Sequence, residues 1–381
     1  MTHIEYNTVS VSDYGAVGDG IANDAPAIQR ALDAGAGCVD VPAGVYRLGN
    51  APLRIRSNTH LKLDAGAVIR LGDWAGNNPD VFLITNSDHE DGNENIAISG
   101  GVWDGSAGNN GGADRYDEGG YTRHGAVGYS GSAINFVGVR GLSISGLTIH
   151  NPTAFGIRMC KISGFTVEDI VFDNDVHLPN QDGVHINGFV EDGVIRRLRG
   201  VSPRTPNDDM VALNADDGLD CMLITGMVCG PIRRIRIEDI EAQDVYTFVR
   251  LLSTENVIED IDIENIRGGV RVHAFNINSW RFPAGSGDIR RVRIRNVSVH
   301  KPDGSERHAL VDVQTRITDM VIENFTRPAD HSPASATLQI RNGLENDMDI
   351  DGAENQPFVN GDGFTIIQSG GFERLEIRGA K

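Results

Sequence analysis

Apolar and polar residues alternate along this chain in short bursts that end alike. The pattern apolar-x-apolar-x-[Asp/Asn/Gly]-apolar appears as LSISGL (142–147), FTVEDI (165–170), IRIEDI (235–240), IDIENI (261–266), VRIRNV (292–297) and MVIENF (320–325). IAISGG (96–101) and RRLRGV (196–201) fit it more loosely. Consecutive copies start 23 to 46 residues apart, a recurrence that marks a repeat architecture. Period-two alternation rich in Ile and Val belongs to strands, not helices. The Asp, Asn or Gly at the fifth position breaks the alternation as a turn does. The connections are too polar and Gly-rich to be crossover helices. The pattern therefore predicts an all-β fold, a single-stranded right-handed parallel β-helix whose coils stack strand on strand.

One segment reads as helix, NDAPAIQRALDAG at 23–35. Asp24 is placed to cap it, Pro26 suits the first turn, and Ala27, Ile28, Ala31 and Leu32 form one apolar face that Gly35 ends. A stack of coils needs its open end covered, so residues 8–50 are expected to form an N-terminal cap, 51–325 the coils, and 326–381 further coils and a C-terminal cap, all in one domain. The polar, Gly-rich stretch 103–131 reads as a long loop or lid.

Composition narrows the partners. A net charge of −19 over 381 residues opposes binding to nucleic acid or an anionic membrane surface, both of which need a basic face. No stretch is apolar enough to span a membrane. The first residues lack a basic, then apolar, signal sequence, which reads as cytoplasmic for the chain as written, or as secreted or periplasmic if a leader has been removed. Cys38, Cys160, Cys221 and Cys229 show no zinc spacing, and Cys221 and Cys229 would pair only in an oxidising compartment. No metal or cofactor is expected, and oligomeric state is open.

The candidate chemistry starts from PNDDMVAL (206–213), where Asp208 and Asp209 stand together at the head of an apolar run, and PNQDGVHI (179–186), where Asp182 leads another. Asp182 and Asp208 are 26 residues apart, about one coil. Stacked strands lie about 4.8 Å apart, so the three carboxylates are expected to meet in one groove. Crowded carboxylates disfavour joint ionisation, which would leave one protonated beside an ionised partner. Strict alternation would turn Asp182 and Asp209 toward the aliphatic face, so the chain is expected to turn just before each strand. The second pair, Asp216–Asp217, reads as a surface loop.

VSDYGAVGDGIANDAPAIQRALDAGAGCVDVPAGVYRL (10–48) resembles the opening segment of the pectate-lyase superfamily of β-helices. GGVWDGSA (100–107), PNQDGVHI and NDDMVAL resemble, in that order, the polygalacturonase-like family 28 of glycoside hydrolases. The resemblance implies a water-activating role for Asp182, a general acid in Asp208, a second water-holding carboxylate in Asp209, and a substrate-binding arginine in Arg250 of FVRLL (248–252). Two positions depart from the family. Leu252 stands where the family has Lys, and GLDCMLITG (218–226) has no histidine where the family has Gly-His-Gly. His185 and His273 are the candidates to replace that histidine. His273, with Arg271 and Trp280, also suits a sugar-binding wall. Asn180 reads equally as a ligand contact or a turn residue.

The leading expectation is an inverting glycoside hydrolase acting on a pectin-like or related polysaccharide or oligosaccharide. A polysaccharide lyase or C5-epimerase acting on a uronate glycan is the runner-up, and a non-catalytic or tailspike-like glycan-binding β-helix is the third reading.

Overall fold

The computed structural model describes residues 7–49, 51–72, 82–109, 132–217, 226–279, 287–306, 308–328, 330, 336–340, 366–368 and 375–378. Among them the fold is all-β, with one α-helix and two short 3-10 turns. None of the helices is long and apolar enough to cross a membrane. The chain divides into two compact units, residues 1–181 with 221–227, and 182–220 with 228–381.

In the first unit, parallel strands stack in register. Val9, Val39, Leu61, Ile98, Ile144 and Val167 are successive partners in one column. From Val39 onward each is at most 1% exposed. The helix runs Ala25–Asp33 and buries the expected face, Ala27, Ile28, Ala31 and Leu32, against neighbouring strands. Asp24 does cap it by position, but its carboxylate accepts from the Val17 and Gly18 amides at 2.7 and 3.1 Å, not from the helix. The side chain thus fixes the preceding loop, and Pro26 tolerates the open helix end because it has no N–H to satisfy.

The second unit carries an all-isoleucine column, Ile195–Ile237–Ile263–Ile294–Ile322, every member fully buried. Burying one such side chain stabilises the fold by about 1.5–3 kcal/mol, and β-branched residues suit the pleated surface. The ladder corrects one register. RRLRGV is not the repeat at that rung. Gly193 pairs with Ile235 and Ile195 with Ile237, so the true copy is GVIRRL (193–198).

The same register explains the fifth position. Asp169, Arg197, Asp239, Asn265, Asn296 and Asn324 all have φ between 53 and 60°, the left-handed region that Asn and Asp enter at least cost after Gly. The Asn265, Asn296 and Asn324 amides each donate to the side-chain oxygen one rung below, beginning at Asp239. The bend therefore occurs within a continuous ladder and carries its own stack of hydrogen bonds. Strand Leu338–Ile340 adds a rung on Val311–Val313, so part of the region after 326 continues the ladder.

Candidate active site

Four parallel strand segments of the second unit build the site. Val184, Val211, Val249 and Phe275 form one buried column, and Ile186, Leu213, Leu251 and Ile277 form another. Between them run His185, Ala212, Arg250 and Asn276. Alternation fixes the aliphatics on one face and so commits His185 and Arg250 to the other.

The Gly183 amide donates to the Asp209 carbonyl at 2.8 Å, and the register of Val184 with Val211, carried back two residues, sets Asp182 beside Asp209. One carboxylate oxygen from each of Asp182, Asp208 and Asp209 lies within 4.8 Å of the others. Asp182 precedes its strand, Val184–Ile186, as the sequence argument required. Asp209 does not precede its strand: it is the first residue of strand Asp209–Asn214, paired with Thr247 and 2% exposed. Asp208 is half-buried.

Burial sets the proton affinity here. It pushes the Asp209 carboxyl up to about 7, against the pull of Arg250 and with help from the charge of Asp182. The Arg250 guanidinium stands 3.7 Å from the Asp209 carboxylate. Crowding was expected to supply the shift, but desolvation is the larger cause and Asp182 the carboxylate that adds to it.

His185 is 2% exposed. Its Nδ1 donates to Asp182 Oδ2 at 2.5 Å and its Nε2 to Asp217 Oδ2 at 2.7 Å. Burial alone would lower its pKa, but the hydrogen bonds from Asp182 and Asp217 overcome burial and raise it to about 9. The imidazolium in turn, with Arg250 and Asn214, holds Asp217 below the usual carboxylate range despite its burial. Asn187 and Asn214 donate to the same Asp217 oxygen at 3.1 and 3.0 Å.

Asp217 is the residue the sequence reading missed. The Asp216–Asp217 pair is not a surface loop. Asp216 is 1% exposed, and its carboxylate gathers the amides of Thr254, Glu255 and Asn256 at 2.6–2.9 Å. Asp217 meets His185 across 32 residues, a separation without a local signature. The signal available was His185 itself, whose place on a buried strand demands polar partners.

Of the two histidines proposed to stand near the carboxylates, only His185 touches one of them. His273 pairs with Thr247, the rung beyond Asp209. Its Nδ1 donates to the Ala309 carbonyl at 2.8 Å and its ring meets His308 edge-on at 5.0 Å. Burial pushes its pKa down to about 3, so it is neutral at ordinary pH. Arg271 turns its guanidinium to Asn207 Oδ1 at 2.9 Å and to the Asp244 carbonyl at 3.1 Å, over the Tyr246 ring. It thus braces the residue before Asp208. Asn180, in the first unit, occupies a turn with φ 58°, as a turn residue would. Residues 218–225, Trp280 and Cys221 lie outside the described residues.

A carboxyl that keeps its proton to about pH 7 beside two further carboxyl groups is the equipment of acid–base hydrolysis. The same three oxygens are the donors that would hold a divalent cation, should one bind.

The model of the family described as Glycosyl hydrolases family 28 matches residues 33–304. A probable polygalacturonase of Arabidopsis thaliana is 24% identical over 80% of this chain and 61% of its own length. The plasmin and fibronectin-binding protein A of Streptococcus pneumoniae is 40% identical over 26% of this chain and 15% of its own length. The chain thus spans less than two thirds of either relative. The structure of the Yersinia enterocolitica family 28 exopolygalacturonase superposes with a TM-score of 0.54 at 14% identity, over 98% of this chain and 77% of that one.

Proposed function

The chain belongs to glycosyl hydrolases family 28, and on that premise we propose that it hydrolyses a pectin-like or related polysaccharide or oligosaccharide with inversion at the anomeric carbon. The observation that carries the reading is the meeting of Asp182, Asp208 and Asp209 with one of their protons retained to about pH 7. In this reading Asp208, the half-exposed member, delivers to the departing glycosidic oxygen the cluster's one proton, which Asp209 holds at rest. Asp182, which accepts a hydrogen bond from His185, takes a proton from the attacking water, and Asp209 orients that water. The water oxygen bonds to the anomeric carbon as the glycosidic bond breaks, so proton and bond counts balance. A further part of the proposal is that the ladder of each unit winds as a right-handed β-helix, with helix Ala25–Asp33 capping that of the first.

The similarity to the plasmin and fibronectin-binding protein A of Streptococcus pneumoniae favours a second reading, a binding module without catalysis, here for a glycan. A lyase or epimerase reading is weaker, because it needs a base free to take the C5 proton, and His185 is held between Asp182 and Asp217.

Incubation with a polysaccharide panel separates these. The expected result is new reducing ends without the absorbance of an unsaturated uronate, a product of inverted anomeric configuration by NMR, and no loss of rate in EDTA. Asp208→Asn is expected to lower kcat by about 10²–10⁴. Full hydrolysis by Asp208→Asn sinks the acid assignment, and binding without cleavage supports the non-catalytic module.

A further inference from the structure

Asp217 takes no part in the hydrolysis described above, yet three side chains converge on it. Its Oδ2 accepts from His185 Nε2 at 2.7 Å, from Asn214 Nδ2 at 3.0 Å and from Asn187 Nδ2 at 3.1 Å. Asn187 directly follows strand Val184–Ile186, and Asn214 ends strand Asp209–Asn214. Donors from two adjacent rungs thus meet on one oxygen, and all three donors are at most 4% exposed. A buried carboxylate needs such partners. Three on a single oxygen also fix where that oxygen stands, and with it the ring that donates to it.

The other nitrogen of that ring, Nδ1, stands 2.5 Å from Asp182 Oδ2. A neutral imidazole has one N–H and one lone pair. It would therefore set a lone pair against a carboxylate oxygen at one of the two contacts. Asn187 Nδ2 also lies 3.2 Å from His185 Nε2, but the Asp217 oxygen is its nearer acceptor. Carboxylates at both nitrogens favour a ring that donates twice. An aspartate behind a histidine decides which ring nitrogen bears a proton. With the charge of Asp217 removed and its oxygen kept, Nε2 retains its proton and Nδ1 is free to turn a lone pair to Asp182.

The consequence falls on Asp182. Its Oδ2 is occupied by Nδ1–H, so Oδ1 is the oxygen left to take a proton from water. As the water O–H bond breaks, an Oδ1–H bond forms and the Nδ1–H···Oδ2 bond is kept. A carboxylate without that contact would be free to rotate and offer either oxygen.

We propose that Asp217 is a positioning residue, which through His185 pins Oδ2 of Asp182 and commits Oδ1 to the role of base. This deepens the hydrolase reading and rests on it for the role of base; the pinning rests on the hydrogen bonds alone.

The pinning is read without substrate by nitrogen-15 NMR of the full chain labelled in its histidine rings, with His185→Gln identifying the His185 signals. At about pH 8 the wild type is expected to carry a proton on both ring nitrogens of His185. Asp217→Asn, which keeps the size and one acceptor oxygen, is expected to leave one of them bare. On a cleaved polysaccharide, Asp217→Asn should lower kcat by about tenfold or more and change KM by less than about twofold. In a His185→Gln background it should lower kcat by less than about twofold further, because both act on Asp182 through one contact. A bare ring nitrogen in the wild type overturns the proposal, and that spectrum decides even where the variant does not fold. Two protonated nitrogens in folded Asp217→Asn overturn it too, as does unchanged kcat. A loss of kcat that adds in full to that of His185→Gln would mark a merely structural carboxylate. The expected spectra in a protein that cleaves no polysaccharide uphold the pinning while refuting the hydrolase.

Discussion

Replacing His185 with Gln should change how stability depends on pH. His185 titrates near 6.5 in an unfolded chain and at about 9 in the fold, because the hydrogen bonds of Asp182 and Asp217 outweigh its burial. The folded pKa is raised, so the stabilisation is fully present below pH 6.5 and is lost as pH rises through 9. A shift from 6.5 to 9 corresponds to about 3 kcal/mol. Other groups titrate in the same window. Burial lowers Lys301 to about 7, so its contribution to stability rises from pH 7 upward and opposes that of His185. The difference between wild type and His185→Gln removes Lys301, which both share. Guanidinium unfolding at pH 6.5 and 9.5 should find that difference smaller by about 3 kcal/mol at the higher pH, a midpoint change of roughly half a molar for a chain of this size. An unchanged difference at the two pH values would refute the claim that Asp182 and Asp217 hold His185 as an imidazolium.

Two further outcomes follow from buried carboxylates. Asp209 holds its proton to about pH 7 because it is buried, so kcat on a cleaved substrate should fall toward tenfold per pH unit above about 7, and a rate flat to pH 9 would sink the one-proton cluster. Asp216 accepts three backbone amides, from Thr254, Glu255 and Asn256, so Asp216→Ala should cost at least about 3 kcal/mol; a thermal melt indistinguishable from wild type would show that those amides find other partners.

The residues that were legible from sequence are those whose role is local. The Ile-x-Ile spacing and the left-handed fifth residue are properties of five consecutive positions, and they locate Asp239, Asn265, Asn296 and Asn324 on successive rungs. Where the fifth residue is Arg197, not Gly, Asn or Asp, the local signal points elsewhere and the register slips by three residues. The same limit governs the site. Asp182 and Asp208 could be brought together by counting one coil, because the distance between rungs is set by the backbone. Asp217 could not, because it reaches His185 from beyond the end of its strand, along a path no periodicity describes. Arg271 shows a related limit: an arginine near an aromatic reads as part of a sugar-binding wall, and the drawing of its donors to Asn207 is decided by a three-dimensional competition that no local pattern records. The electrostatic result has the same origin. Adjacent aspartates suggested that repulsion between neighbours would retain a proton, whereas the larger cause is the removal of Asp209 from water, a consequence of strands that are distant in sequence closing around it. What a carboxylate does here therefore depends less on the charge beside it in the chain than on the rung stacked above it.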